Sequence, residues 1–286
     1  MRALVHSGGA AKGAWAAGVI QYLLGDLQID YDIYTGTSVG AINTAFLAMF
    51  KSGEEKQAAE LLKEWWLKLD NSKIYKPWPF WGRLAAAWRK SFYDSTPLHD
   101  LIKKNVSLEK IRASGKQIKV GALNLHTGKY TLFDQDSDNF LDAVLASSAF
   151  PATLTPVKIN NDLYIDGGMK TISPIKAAIE MGATEIDVIT TSPDVRDKKF
   201  IHNPNIIDIV RRAFDVATDK ILSNDIEIAI MYNKLAEAGL TDKKPIKLRI
   251  LKPHFNLLDN VLDFCPHKIK EMMEKGYKDA AVNYII

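Results

Sequence analysis

An α/β domain built on a mostly parallel sheet covered by helices is what this sequence predicts, and three observations carry that expectation. The first fifty residues contain two successive units in which a short apolar run passes through glycines into a segment of helical spacing. Further along, Glu185 to Thr190 and Ile246 to Leu251 read as strands interleaved with helical stretches such as Pro174 to Met181. The chain has 286 residues, 47% of them hydrophobic, enough to bury one sizeable core. We therefore expect one domain over 1–286, with insertions.

Taken in order, Ala3 to His6 is a short buried strand that runs into Ser7-Gly8-Gly9-Ala10-Ala11-Lys12-Gly13. From about Lys12 to Leu24, Trp15, Val19, Tyr22 and Leu23 recur at helical spacing, with Gly18 admitting a close neighbour. Tyr31 to Thr35 is extended, Gly36-Thr37-Ser38-Val39-Gly40 is a turn, and Ala41 to Phe50 is a helix whose buried stripe is Ile42, Ala45, Phe46 and Met49. Glu54 to Leu69 is a charged helix.

An aromatic-rich insertion, about 65–93, holds five of the six tryptophans, and its prolines interrupt any continuous helix. Trp81, Leu84, Ala85, Trp88 and Phe92 share a helical face, with Arg83, Arg89 and Lys90 off it. Segment 78–92 reads either as a helix packed on the core or as a basic amphipathic element in a membrane interface. Thr96 is expected to cap a helix with Pro97 at its first position. Ile118 to Leu125 with Lys129 to Phe133 forms one hairpin, and Val157 to Ile159 with Leu163 to Ile165 a second, separated by a helix over Asn139 to Ser147. The second hairpin delivers Asp166-Gly167-Gly168 at its exit. Beyond Pro193 no motif is readable. Pro204 to about Leu235 is helical, with Ile209, Ala213, Val216, Ala217, Lys220 and Ile221 at core spacing, and a terminal helix starts at His267. Together 204–286 reads as a mainly helical cover.

A formal net charge of +3 is too small to imply a nucleic-acid partner and is compatible with an anionic lipid surface. The single cysteine, Cys265, excludes an internal disulfide and fits a reducing compartment; beside Phe264 it reads as apolar filler. No signal peptide and no run of eighteen apolar residues is visible, so the expected location is cytoplasmic with any membrane contact peripheral. Histidines are scattered without metal-ligand spacing, so neither a metal nor another cofactor is implied. Oligomeric state leaves no signature.

The chemistry sits in three blocks. In Gly36 to Gly40 a serine occupies the middle of G-x-S-x-G between strand and helix, the nucleophile-elbow pattern, in which a strained turn exposes the hydroxyl and small neighbours let the flanking backbones close up. Ser38 is thus the candidate nucleophile. The loop Gly8 to Gly13 follows a strand and opens a helix, so the amides of Gly9 and Ala10 can face a developing oxyanion, with Lys12 adding positive charge. Asp166, followed by Gly167 and Gly168 with no side chain to block it, is the candidate base, provided burial lifts its pKa from about 4.

In this order the blocks resemble those of the patatin-like phospholipases. Ser7 to Ala14 is similar to the family's glycine-rich oxyanion block, Gly36 to Gly40 to its elbow and Asp166-Gly167-Gly168 to its aspartate motif, while Ala146 to Pro151 resembles the segment leading into it. The resemblance spans roughly the first 190 residues and implies a three-layer α/β/α fold. It also implies a Ser38–Asp166 dyad without histidine, acting on the acyl esters of lipids or phospholipids. Two positions depart from the pattern: Ala10 stands where a third glycine is common, and Ile172 where an asparagine usually precedes the proline by two.

Three other readings compete. A Ser-His-Asp α/β-hydrolase would recruit His254 or His267, although one βα unit between loop and elbow is short for that fold. A dinucleotide site would use Asp30 or Asp32 but leaves Ser38 and Asp166 unexplained. A lipid-binding member of the same fold without catalysis is the third.

Overall fold

The computed structural model describes residues 1–79, 88–193, 206–241, 244–258 and 260–284. Its first half contains β1 (Arg2–His6), α1 (Gly13–Ile20), β2 (Ile33–Gly36), α2 (Val39–Leu47), α3 (Glu55–Leu67), α4 (Asn71–Ile74), β3 (Lys76–Pro77), β4 (Tyr93–Asp94), α5 (Thr96–Asn105) and α6 (Leu108–Ser114). Then follow β5 (Gln117–Asn124), β6 (Tyr130–Asp134), α7 (Phe140–Ser147), β7 (Val157–Ile159), β8 (Asp162–Asp166), α8 (Ile175–Glu180), β9 (Glu185–Ile189), α9 (Ile206–Glu237), β10 (Lys247–Leu251) and α10 (Pro266–Asn283).

Eight strands make one mixed sheet in the order β10-β9-β1-β2-β5-β8-β7, with β6 also paired to β5. The five from β10 to β5 are parallel, while β6, β8 and β7 join antiparallel through the two hairpins. Side-chain alternation along β1 sorts the core into two layers: Leu4 packs with α1, α2, α3, α7 and α10, whereas Ala3 and Val5 pack with α8 and α9. Helices therefore cover both faces, as an apolar parallel sheet requires. Gly18 of α1 admits α10 to backbone contact, since a Cβ there would lie 2.0 Å from Met273 O.

One polar cluster staples the termini to this sheet. Asp187 is in register with Leu4 and Arg249 and is fully buried. Its carboxylate accepts from Arg2 Nη2 at 2.9 Å, Arg249 Nη1 at 3.0 Å, Tyr31 OH at 2.8 Å and Tyr284 OH at 3.1 Å. Two cations and two hydroxyls compensate one carboxylate, which is what a charge removed from water needs.

Three expectations change. The first helix is composite: a 3₁₀ turn at Ala10–Lys12 precedes α1, and π turns at Gln21–Asp26 follow it. Thr96 does not cap α5; it is the first helical residue and Pro97 the second, because Asp94 Oδ1 takes the Thr96 amide at 2.9 Å and its hydroxyl at 2.6 Å. In α9, Ile209, Ala213, Val216, Ala217 and Lys220 are exposed and Ile221 is half-buried, while Leu222 and Ala229 are buried. The helix carries more than one apolar stripe, and packing selected the one in phase with Leu222. The expected helix through Trp81, Leu84 and Ala85 lies outside the described residues. The flanks of that insertion are joined by the short β3–β4 ladder, with Trp78 Nε1 donating to Ser91 O at 2.9 Å.

Candidate active site

Register brings the three sequence blocks to one end of the sheet. His6 pairs with Gly36, so the glycine loop leaves β1 beside the elbow leaving β2. On β5, Val120 pairs with Gly36 and Ala122 with Asp166, which places the backbones of the elbow strand and of Asp166 two residues apart along β5.

At the elbow Ser38 has φ 58° and ψ −129°, a conformation L-residues rarely hold, with α2 starting at the next residue. Close approach explains the paired glycines: a Cβ on Gly36 would lie 2.4 Å from Gly40 O, and one on Gly40 would lie 2.1 Å from His6 O. Ser147 braces the turn, its Oγ accepting from Ser38 N at 2.9 Å and donating to Gly121 O at 2.7 Å.

Asp166 ends β8 with 3% of its surface exposed, and Ser38 is 8% exposed. Burial pushes the Asp166 carboxyl up to about 6; the Ser38 hydroxyl and the Gly168 amide, which donates to Oδ1 at 2.8 Å, offset part of the rise.

The glycine loop aims its amides by pinning its carbonyls. Thr191 Oγ1 donates to Gly8 O at 2.8 Å and Lys12 N to Gly9 O at 3.1 Å. In a trans peptide the following N–H points the opposite way, so the amides of Gly9 and Ala10 turn away from those donors. Among the described residues neither amide has an acceptor, whereas Gly8 N reaches Ile172 O and Ala11 N reaches Val261 O. Ala10 has φ 49°, the left-handed region that a glycine would occupy without strain.

Ser38, Asp166, Gly8, Gly9, Ala10, Lys12 and Gly168 all line one cavity of about 140 Å³. Its walls are apolar, among them Ile42, Trp65, Leu98, Leu154, Phe150 and Phe214. Lys12, expected from sequence at a helix start, is buried here with 5% of its surface exposed. Gly13, Gly36, Gly40 and Gly167 are not on the cavity wall; Gly13 packs against Val39 and Trp66, and Gly167 against Gly121 and Tyr130.

Several site residues were not singled out by sequence. Trp65 and Trp66, at the start of the aromatic-rich stretch, line the cavity, and Trp66 Nε1 donates to Asn43 Oδ1 at 3.0 Å. Asn43 in turn meets His6 Nε2 at 3.0 Å, and burial lowers the His6 pKa to about 4, which keeps that ring a neutral brace. Phe214, Asp215 and Thr218 of α9 also reach the cavity. No sequence motif marks any of them, because each arrives by long-range packing.

The competing constellations are not assembled. Among the described residues no histidine lines the cavity; His254 lies at a separate cleft beside Asn283, and His267 is exposed. Asp30 and Asp32 precede β2, at the end of the strand opposite the glycine loop, where Asp30 pairs with Lys116 and Asp32 with the Arg2 amide.

Fold and cavity together define an α/β protein with a serine and a carboxylate in one apolar pocket. Residues 4–179 match the patatin-like phospholipase family, and the chain belongs to it. YjjU of Escherichia coli (strain K12), itself uncharacterised, is 27% identical over 197 residues, 67% of this chain and 52% of that protein. A cGAMP-activated phospholipase of Escherichia coli (strain TW11681) is 28% identical over 199 residues, 61% of this chain and 53% of its own length. The chain thus spans just over half the length of these relatives. The crystal structure of VipD from Legionella pneumophila superposes with a TM-score of 0.44 at 15% identity, over 98% of this chain and 66% of that one. Among the described residues no helix is long and apolar enough to cross a membrane.

Proposed function

We propose that this protein hydrolyses carboxylic esters of lipids, with Ser38 as nucleophile, Asp166 as its base and the amides of Gly9 and Ala10 as the oxyanion donors. The observation that carries the reading is the meeting, in one apolar cavity, of a strained serine, a buried carboxyl raised to about 6 and two amides without acceptors among the described residues. Ser38 Oγ attacks the ester carbonyl carbon while Asp166 takes its proton. The two amides and Lys12 stabilise the oxyanion, and collapse expels the alcohol, which recovers the proton from Asp166. Water then attacks the acyl-serine with the same carboxylate as base, releasing the fatty acid and restoring Ser38. The raised pKa suits this work, because a carboxylate near 6 is a stronger base than one near 4 and is still ionised at neutral pH. Apolar walls suit an acyl chain and exclude water from the oxyanion.

Membrane contact through segment 78–92 belongs to the same reading. Trp88 is 75% exposed and Phe92 44%, with Arg89 stacked on Trp78 at 4.9 Å and Lys90 nearby in the chain. An exposed tryptophan next to two basic residues suits an anionic lipid surface.

The test is hydrolysis of a panel of phospholipids, lysophospholipids, acylglycerols and short-chain esters, with Ser38→Ala as control and a fluorophosphonate probe for the hydroxyl. Turnover and labelling that vanish together in Ser38→Ala are expected. A folded protein that neither labels nor turns over any substrate would favour a lipid-binding role without catalysis.

A further inference from the structure

We propose that Asp225 is a positioning residue for the reaction above, holding the loop behind Asp166 and the glycine loop in one register from a helix outside the family-matched segment. The proposal rests on that reaction. Asp225 lies on α9, well beyond residue 179, yet its Oδ2 accepts both the Ile172 amide at 2.8 Å and the Ser173 amide at 2.9 Å. Those amides follow the Asp166-Gly167-Gly168 turn. The carbonyl of Ile172 in turn accepts from Gly8 N at 3.3 Å, so one carboxylate reaches both halves of the site through a single residue.

No side chain in the loop substitutes for it. The Ile172 side chain offers no polar atom, and Ser173 Oγ is buried with no hydrogen-bond partner among the described residues. Two amides on one charged oxygen are charge-assisted bonds, the strong kind, and here they are part-buried. Catalysis by positioned groups is sensitive to such bracing: a displacement of about 1 Å can cost about a hundredfold in rate. Phe214, Asp215 and Thr218 on the same helix line the cavity, so losing α9 altogether would weaken substrate binding. Losing only the clamp would slow the chemical step.

The experiment compares Asp225→Ala, Asp225→Asn and Asn233→Ala. Asn233 makes another side-chain clamp from α9 to backbone, its amide bonding Ile246 O at 2.8 Å and Ile246 N at 2.9 Å, outside the cavity lining. Kinetics on the best ester of the panel are read beside amide hydrogen exchange in peptides covering 7–12 and 168–175. Asp225→Ala is expected to lower kcat by about 30- to 100-fold with KM within about threefold, and to speed exchange in both peptides. Asp225→Asn, which keeps one oxygen for both amides, should recover most of kcat, and Asn233→Ala should leave kcat and both peptides unchanged while lowering the unfolding midpoint. Equal kcat losses in Asp225→Ala and Asn233→Ala, or unchanged exchange over 7–12 in Asp225→Ala, would overturn the proposal. If the parent protein shows no Ser38-dependent hydrolysis, the reaction itself is refuted, while the exchange arm still decides whether Asp225 joins the two loops.

Discussion

Asp166 and Asp187 are both nearly without solvent exposure and both sit on strands of one sheet, yet their surroundings are opposites. Asp187 is met by two guanidinium groups and two phenolic hydroxyls, drawn from β1, β10, the segment before β2 and the end of α10. Asp166 is met by one amide, one serine hydroxyl and an apolar cavity. A fully compensated carboxylate is a staple. One left short of partners has a raised pKa, costs stability as an ion, and is available to take a proton.

The largest effect expected from this contrast is at Asp166. Asp166→Asn should cut turnover by about 10³- to 10⁴-fold, as loss of a general base does, while the unfolding midpoint holds or rises at neutral pH. A variant that keeps turnover near the parent level would end the assignment of the base. Next is Asp187→Ala, which takes the shared carboxylate from two half-buried guanidinium groups, of which Arg249 keeps Glu185 at 2.7 Å, and should cost about 3 kcal/mol of stability by urea denaturation. Turnover per folded molecule should be unchanged.

The pH response sharpens the comparison further. Asp166 titrates near 6 in the folded chain, above the ordinary aspartate value of about 3.9, so between those values the folded state holds the extra proton. Its contribution to stability is therefore complete below about 4 and declines as pH rises through about 6. Activity is expected to run the other way, falling as pH drops below about 6 and Asp166, the proposed base, is protonated. Asp166→Asn, which mimics the neutral acid, should gain about 1–3 kcal/mol over the parent between pH 4 and 7, and a pH-independent difference in midpoint would refute the shift. The smallest effect is at Ala10: Ala10→Gly relieves the positive φ and should stabilise by about 1 kcal/mol with turnover preserved, since the amide remains.

How much of this was legible in the sequence follows the range of the interactions. The elbow around Ser38 announces itself because its steric demand is local: glycines two residues either side are needed wherever a strand folds straight back into a helix. The same holds for the loop at Gly8 to Gly13 and for the glycines after Asp166. Hairpins at Thr127-Gly128 and Asn160-Asn161 are readable from turn chemistry, and Gly128 and Asn160 do take positive φ. The cap of α5 is not readable locally, because Asp94, Ser95 and Thr96 all have capping oxygens and only the surrounding packing selects among them.

Sequence alone determined the layered α/β architecture and the three blocks of unusual residues, because periodicity, glycine sterics and turn preferences act within a few residues. Only tertiary structure decided which buried aspartate is neutralised by cations and which faces the cavity, that Trp65 and Trp66 form a wall, and that α9 reaches back to the loop at Ile172. Those outcomes depend on groups separated by some twenty to nearly two hundred residues, whose meeting is set by sheet order and helix packing and leaves no local trace in the chain.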